Sequence, residues 1–327
     1  MTVLQIILAL VVALFIVVGL YRYRIVNLKT SNKNHEDFSG DLYQVGKSVV
    51  AYQAASEQKE GNKRSLVCMH GWLEDHRYFS DLYTPDDGEL IFINSCDYHA
   101  PVKGQEILNA SWQTQNPYPQ CTIEYDAAVL IQAVKNLASH DEILLHGHSR
   151  GGAVVTEAIK QAPELFANAT VILEAAILPE APVSKTHKLP KVVDIMVSKA
   201  ILFVLPFVTH HLAKKGMAYG QIKKMGPVND RKTHLIRNMF ASAKSADVLV
   251  RNVENMVQWP MQNKMSVLEN VKHGYILVGA RDAVLSRRLM LNSAHKSIGN
   301  MQVVQTKDSN HFISLEIPAQ VKSLQFS

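Results

Sequence analysis

The sequence predicts an α/β protein in which a mostly parallel sheet is covered by helices on both faces. Short runs rich in β-branched residues alternate with segments whose apolar residues recur at helical spacing, the pattern of parallel strands joined by crossover helices. Most of these runs are continuously apolar, as strands buried on both faces are. With 327 residues, 47% hydrophobic and 19% charged, the chain can fill a large core, and its composition excludes disordered, collagen-like and low-complexity scaffolds.

In chain order, the first element stands apart from the sheet. Residues 3–20 have Gln5 as their only polar member, and at about 1.5 Å per residue a helix there spans roughly 27 Å, close to a hydrocarbon core. No Lys or Arg precedes the run, and Leu20, Tyr21 and Arg22 make no small-residue cleavage site. An uncleaved transmembrane anchor over 1–24 is therefore expected rather than a signal peptide. Arg22, Arg24, Lys29 and Lys33 all follow the run, which makes this a single-pass membrane protein with its body on the cytoplasmic side. The polar, aperiodic stretch within 25–40 reads as a linker.

In the body, residues 41–45 and 48–55 form two short strands turning near Gly46, and 65–69 and 90–94 form buried strands. Residues 75–83 and 123–138 have helical spacing, the latter with Ala127, Leu130, Ile131, Val134 and Leu137 on one face. A strand at 142–146, a helix at 151–161 and a strand at 169–173 follow. Beyond an insert come a strand at 275–278, a helix at 286–297, a strand at 301–305 and a last helix near 318–324. The core is expected over 41–180 and 260–327, with 181–259 as an inserted helical cap.

The sharpest motif is Gly147-His148-Ser149-Arg150-Gly151, between the strand at 142–146 and the helix after it. A serine at so tight a turn takes a strained backbone, and flanking glycines relieve the crowding so that its hydroxyl stands clear of the sheet. That hydroxyl is a poor nucleophile until a base takes its proton, and the base needs an orienting carboxylate. Asp282 follows the strand at 275–278 in Gly279-Ala280-Arg281-Asp282, and His311 follows the strand at 301–305 in Ser309-Asn310-His311-Phe312. An earlier strand closes on His70-Gly71-Trp72.

In these four motifs, and in the chain order Ser149, Asp282, His311, the sequence resembles the serine esterase and lipase-like branch of the α/β-hydrolase superfamily, from residue 41 to the C-terminus apart from the insert. The resemblance implies Ser149 as nucleophile, His311 as base and Asp282 as acid. It also implies that the backbone N–H groups of Trp72 and Arg150, at the Gly71 turn and the serine turn, form an oxyanion hole. Glu174 is an alternative acid, as is Glu180, while Asp308 lies in the histidine's own loop. Asp97-Tyr98-His99-Ala100-Pro101 departs from the family's glycine-rich pattern after the fourth strand. The implied reaction is hydrolysis of carboxylic esters of apolar, acyl-chain substrates through an acyl-enzyme, with no cofactor and no metal. Thioester, amide or C–C hydrolysis and acyl transfer use the same triad, and a membrane-tethered binding protein without turnover would keep the same fold.

The net charge of +5 is concentrated in the insert. Residues 181–240 hold eleven Lys and Arg against Asp194 and Asp230, a local +9, which leaves the rest of the chain at −4. No nucleic-acid-reading module accompanies it, and no dinucleotide or phosphate loop is present. Residues 192–208 are apolar but contain Asp194, Lys199 and Pro206, so a lid is expected rather than a second span. Its charge and apolar face would either dock on an anionic leaflet or pack on the body as an ordinary lid. Cys68, Cys96 and Cys121 form no C-x-x-C pair and are expected to be packing residues. Among fourteen histidines, His146, His148, His210 and His211 lack metal-ligand spacing, and His70 is expected to be a structural hydrogen-bonder beneath the Gly71 turn.

Overall fold

The computed structural model describes residues 2–27, 38–56, 64–96, 105–183, 200, 203–208, 210, 226, 229–239, 246–297 and 299–324. The expected linker, Asp97–Pro101, most of the apolar segment 192–208, and Lys214, Lys215, Lys223 and Lys224 lie wholly or largely outside these residues.

Nine strands are described: β1 (Asp41–Val45), β2 (Ser48–Gln53), β3 (Arg64–Met69), β4 (Glu89–Asn94), β5 (Leu108–Asn109), β6 (Glu142–His148), β7 (Thr170–Glu174), β8 (His273–Gly279) and β9 (Met301–Thr306). They form one sheet in the order β5-β1-β2-β4-β3-β6-β7-β8-β9. β2 runs antiparallel to both β1 and β4, and every pair from β4 to β9 is parallel. The carboxyl ends of β3, β6, β7, β8 and β9 therefore open on one edge, where open α/β sheets place their ligands.

One face of the sheet is covered by the helices Ile123–Leu137 and Arg150–Gln161. The first starts where the Thr122 hydroxyl accepts a hydrogen bond from the Tyr125 amide at 3.1 Å, with Glu124 and Asp126 in its first turn. Of the stripe its periodicity predicts it buries Ala127, Leu130 and Val134, with Ile131 and Leu137 half-buried, and it adds Ile123. The other face packs against Tyr78, Phe79, Leu82, Tyr83, Phe312 and Leu315 from short helices and turns.

Two expectations need revision. The helix expected over 75–83 shrinks to Arg77–Ser80, because the Asp75 carboxylate takes the Arg77 amide at 3.2 Å and its guanidinium at 2.6 Å, which holds residues 75–76 outside the helix. The helix Ala246–Gln262 crosses the expected boundary between cap and core at 259/260. Trp259 is fully buried and donates to Glu157 at 2.9 Å, and Asn252 donates to the Cys121 carbonyl at 2.8 Å, so this helix belongs to the core's helical layer. Cys68, Cys96 and Cys121 are buried free thiols in the hydrophobic core, as expected of packing residues, with the sulfurs of Cys96 and Cys121 3.6 Å apart.

The N-terminal helix Val3–Asn27 is the one described helix long and apolar enough to cross a membrane, with a mean hydropathy of 3.1 in its most apolar window. Near its end, Tyr21 lies 5.8 Å from the ring of Phe207, and the Arg22 guanidinium sits 5.9 Å over Phe203.

Candidate active site

Ser149 sits where β6 turns into the helix Arg150–Gln161, with φ 52° and ψ −116°. A non-glycine residue in that region costs of order 1–3 kcal/mol and persists only where the surroundings hold it. Here its amide donates to the Glu174 carbonyl at 2.9 Å, and its carbonyl accepts from Gly152 at 3.1 Å and Ile177 at 3.0 Å. The flanking glycines are needed for contact. A Cβ on Gly151 would lie 1.9 Å from the Met69 carbonyl oxygen, and one on Gly147 would lie 2.5 Å from the Gly151 oxygen. Any side chain there would push the helix off the strands that aim Ser149.

Asp282 and His311 are brought together from the ends of β8 and β9, with Asp282 Oδ2 2.8 Å from His311 Nδ1. The other carboxylate oxygen accepts from the amides of Val284 and Leu285, each at 2.8 Å. Burial raises the Asp282 carboxyl's pKa, but the His311 hydrogen bond and these two amides outweigh it and hold the group below the ordinary carboxylate value. With Nδ1 committed to the carboxylate, His311 Nε2 forms no hydrogen bond among the described residues, and none joins it to Ser149 Oγ. Such contacts are often long until substrate is bound. The His311 ring lies 5.0 Å from that of His148, the residue preceding Ser149.

Glu174 is engaged elsewhere. Its carboxylate, fully buried at the end of β7, accepts from Tyr78 Oη, from His146 Nε2 at 2.9 Å, and from the Ser314 amide at 2.6 Å and hydroxyl. Burial works against its charge, yet His146, the nearby His148 and Ser314 bring its pKa down to about 2. His146 is completed on its other side by Tyr83 Oη at 2.7 Å from Nδ1. Glu180 pairs with Lys296 at 3.0 Å, and Asp308 pairs with Arg281 at 3.0 Å on the surface. Neither is hydrogen-bonded to His311.

Trp72 follows Gly71 directly after β3, and Leu73 takes a positive φ of 72°, which sharpens the turn. His70 holds the turn from below: its Nδ1 donates to the Gly71 carbonyl at 2.7 Å and its Nε2 accepts from the Ser95 amide at 3.0 Å. That pattern requires the neutral ring, and burial lowers its pKa accordingly. The Arg150 side chain is buried against Asp126 Oδ2 at 2.7 Å, so it ties the serine turn to the helix Ile123–Leu137 while its amide stands at the helix N-terminus.

From the insert, Asn229 Nδ2 donates to the Leu315 carbonyl at 2.8 Å, and buried Lys232 pairs with Glu316. Glu316 in turn accepts from the Asn310 amide at 2.5 Å, so the insert grips the loop that carries His311. Sequence reasoning missed this grip and also missed Glu74, whose carboxylate meets His148 Nδ1 at 2.8 Å. The signal available for Glu74 was an acidic residue three positions after Gly71. Among the described residues no group of three His, Cys, Asp or Glu side chains is placed to hold a metal ion.

No family model matches the sequence, and no curated protein matches it. Solved structures do. An esterase from Exiguobacterium antarcticum is similar with a TM-score of 0.60 at 14% identity, over 88% of this chain and 100% of that one. A carboxylesterase from Bacillus subtilis matches with a TM-score of 0.59 at 16% identity, over 95% and 97%. A membrane phospholipase A matches with a TM-score of 0.57 at 14% identity, over 99% and 96%. The sheet order, the strained serine turn after β6 and these likenesses agree: the chain has the α/β-hydrolase fold.

Proposed function

We propose that this protein is a membrane-anchored serine hydrolase that cleaves carboxylic esters of apolar, acyl-chain substrates. The observation that carries the reading is His311, whose Nδ1 is held by Asp282 at 2.8 Å while its Nε2 has no hydrogen bond among the described residues. In the reaction, Ser149 Oγ attacks the ester carbonyl and His311 Nε2 takes the hydroxyl proton. Asp282 keeps the proton of Nδ1 in place and balances the imidazolium that forms. The amides of Trp72 and Arg150 donate to the oxyanion. His311 returns the proton to the departing alcohol, and water, activated the same way, releases the acid from Ser149. The ester-cleaving neighbours support the substrate class.

The anchor is the helix Val3–Asn27, with Tyr21 and Tyr23 at interface level and Arg22 and Arg24 on the cytoplasmic side. Beside its end, Phe203, Val204 and Val208 are exposed, which supports a cap that rests on the bilayer. Neutralising Lys214, Lys215, Lys223 and Lys224 is expected to weaken sedimentation of the anchor-free body with anionic vesicles, as is raised salt, since each cation near the surface contributes about 1 kcal/mol. Binding indifferent to both would leave the cap an ordinary packed lid.

Turnover measured across esters of increasing chain length, with matched thioesters and amides, tests the reaction class. Esters are expected to be cleaved fastest and Ser149→Ala to be inactive. Preference for a thioester or amide would move the assignment within the fold, and no turnover would favour a binding role.

A further inference from the structure

We infer that Glu74 and His148 form a buried ion pair that positions the three working parts of the site, joining the oxyanion turn, the serine turn and the His311 loop; this rests on the hydrolase reading. His148 meets an acceptor at each ring nitrogen: Nδ1 lies 2.8 Å from Glu74 Oε2, and Nε2 lies 3.0 Å from the His311 carbonyl oxygen. A neutral imidazole carries one N–H and can donate to only one of them, so with a carboxylate at Glu74 both bonds exist together only in the imidazolium. The same Glu74 oxygen accepts from the Gly71 amide at 2.7 Å. Gly71 makes the contact possible, since a Cβ there would lie 2.9 Å from both Glu74 Oε2 and His148 Nδ1.

The charged groups around His148 favour its cation. Glu74 lies on one side and Glu174 is nearby, while the Tyr78 ring stacks flat on the imidazolium with centroids 4.0 Å apart and an 8° interplanar angle. His146 lies behind it on the same strand, the His311 ring is 5.0 Å away and Phe312 5.7 Å. Burial opposes the charge, but Glu74 and Glu174 prevail and raise the pKa to about 9. Chain connectivity then gives the pair its leverage: His148 is bonded to Ser149, Gly71 to Trp72, and the third partner is the main chain of His311 itself. When the proton leaves His148, either Glu74 or the His311 carbonyl loses its donor, and the loop that aims the base is released.

The test uses the full chain in detergent with ¹⁵N-labelled histidine, in wild type, Glu74→Gln and His148→Gln, each checked for a cooperative thermal transition. The resonance missing in His148→Gln identifies His148, which is expected to keep both ring nitrogens protonated at pH 7.5. The rate of Ser149 labelling by an alkyl fluorophosphonate is expected to fall in wild type as pH rises through about 9. That fall should move down by more than one pH unit in Glu74→Gln and disappear in His148→Gln, whose rate is lower throughout. A His148 that is singly protonated at pH 7.5, or identical pH profiles for wild type and Glu74→Gln, would overturn the inference. Should His148→Gln fail to fold, Glu74→Gln still decides. A doubly protonated His148 in a wild type that never labels would instead overturn the hydrolase reading, and the positioning role with it.

Discussion

Three histidine–carboxylate pairs lie near the carboxyl ends of the parallel strands, and two of them, Asp282 with His311 and Glu174 with His146, differ in what the second ring nitrogen meets. His146 is closed on both sides, with Glu174 at 2.9 Å and Tyr83 at 2.7 Å, and its carboxylate is saturated by Tyr78 and Ser314. Among the described residues, His311 is closed on one side only. In both pairs the two side chains are almost completely shielded from solvent, so burial does not distinguish a working dyad from a structural one. On the proposed reading the open ring nitrogen does: a base must have a lone pair to offer, and a group whose bonds are all made can only hold its neighbours in place.

The largest expected effect breaks the comparison most sharply. Asp282→Asn should fold normally and lose about 10⁴-fold in kcat, because the amide favours the wrong tautomer of His311. Glu174→Gln should do the reverse, losing about 3–5 kcal/mol of stability by disturbing a buried charge network while the folded fraction keeps activity within tenfold. Ester turnover and thermal unfolding on the same two variants read both numbers. An Asp282→Asn enzyme near wild type beside an inactive Glu174→Gln would exchange the two roles.

A smaller effect is the pH dependence of stability. Glu174 has its folded pKa lowered from 4.5 to about 2, so its contribution is complete above about 4.5 and is lost as pH falls toward 2. His148 has its folded pKa raised from 6.5 to about 9, so its contribution is complete below about 6.5 and is lost as pH rises through 9. Melting temperature against pH should thus decline at both ends. Glu174→Gln should flatten the acid side and His148→Gln the alkaline side, and unchanged slopes would contradict the assigned charges.

The smallest effect on chemistry is expected from removing residues 1–24. The apolar span has no buried residue in its most apolar window, so the body should stay folded and hydrolyse a short soluble ester at an unchanged rate while shifting toward the soluble fraction. A folded but inactive truncation would show that the helix contributes to the site.

Much of this was legible in the sequence, and the boundary is physical. The strands were legible because burial on both faces forces apolar runs, and the strand-end positions of Ser149, Asp282 and His311, whose catalytic roles are the proposal, because each follows such a run at a turn. β5, with two exposed residues, has no period to read. Glu74 and His148 are 74 residues apart, and His148 and His311 are 163 apart, so their bonds belong to the folded sheet and leave no local pattern. For the same reason Glu174 could be placed at the end of the strand at 169–173, but its saturation by Tyr78, His146 and Ser314 could not be foreseen.

The most direct measurement is the rate and site of covalent labelling by an alkyl fluorophosphonate, with the adduct located by peptide mass spectrometry. The expected result is a single adduct on Ser149 in wild type, none in Ser149→Ala or His311→Ala, labelling slowed at least about 10³-fold in Asp282→Asn, and labelling retained in Glu174→Gln. An adduct on another residue, or Asp282→Asn labelling at the wild-type rate, would contradict the claim that the half-open Asp282–His311 pair activates Ser149.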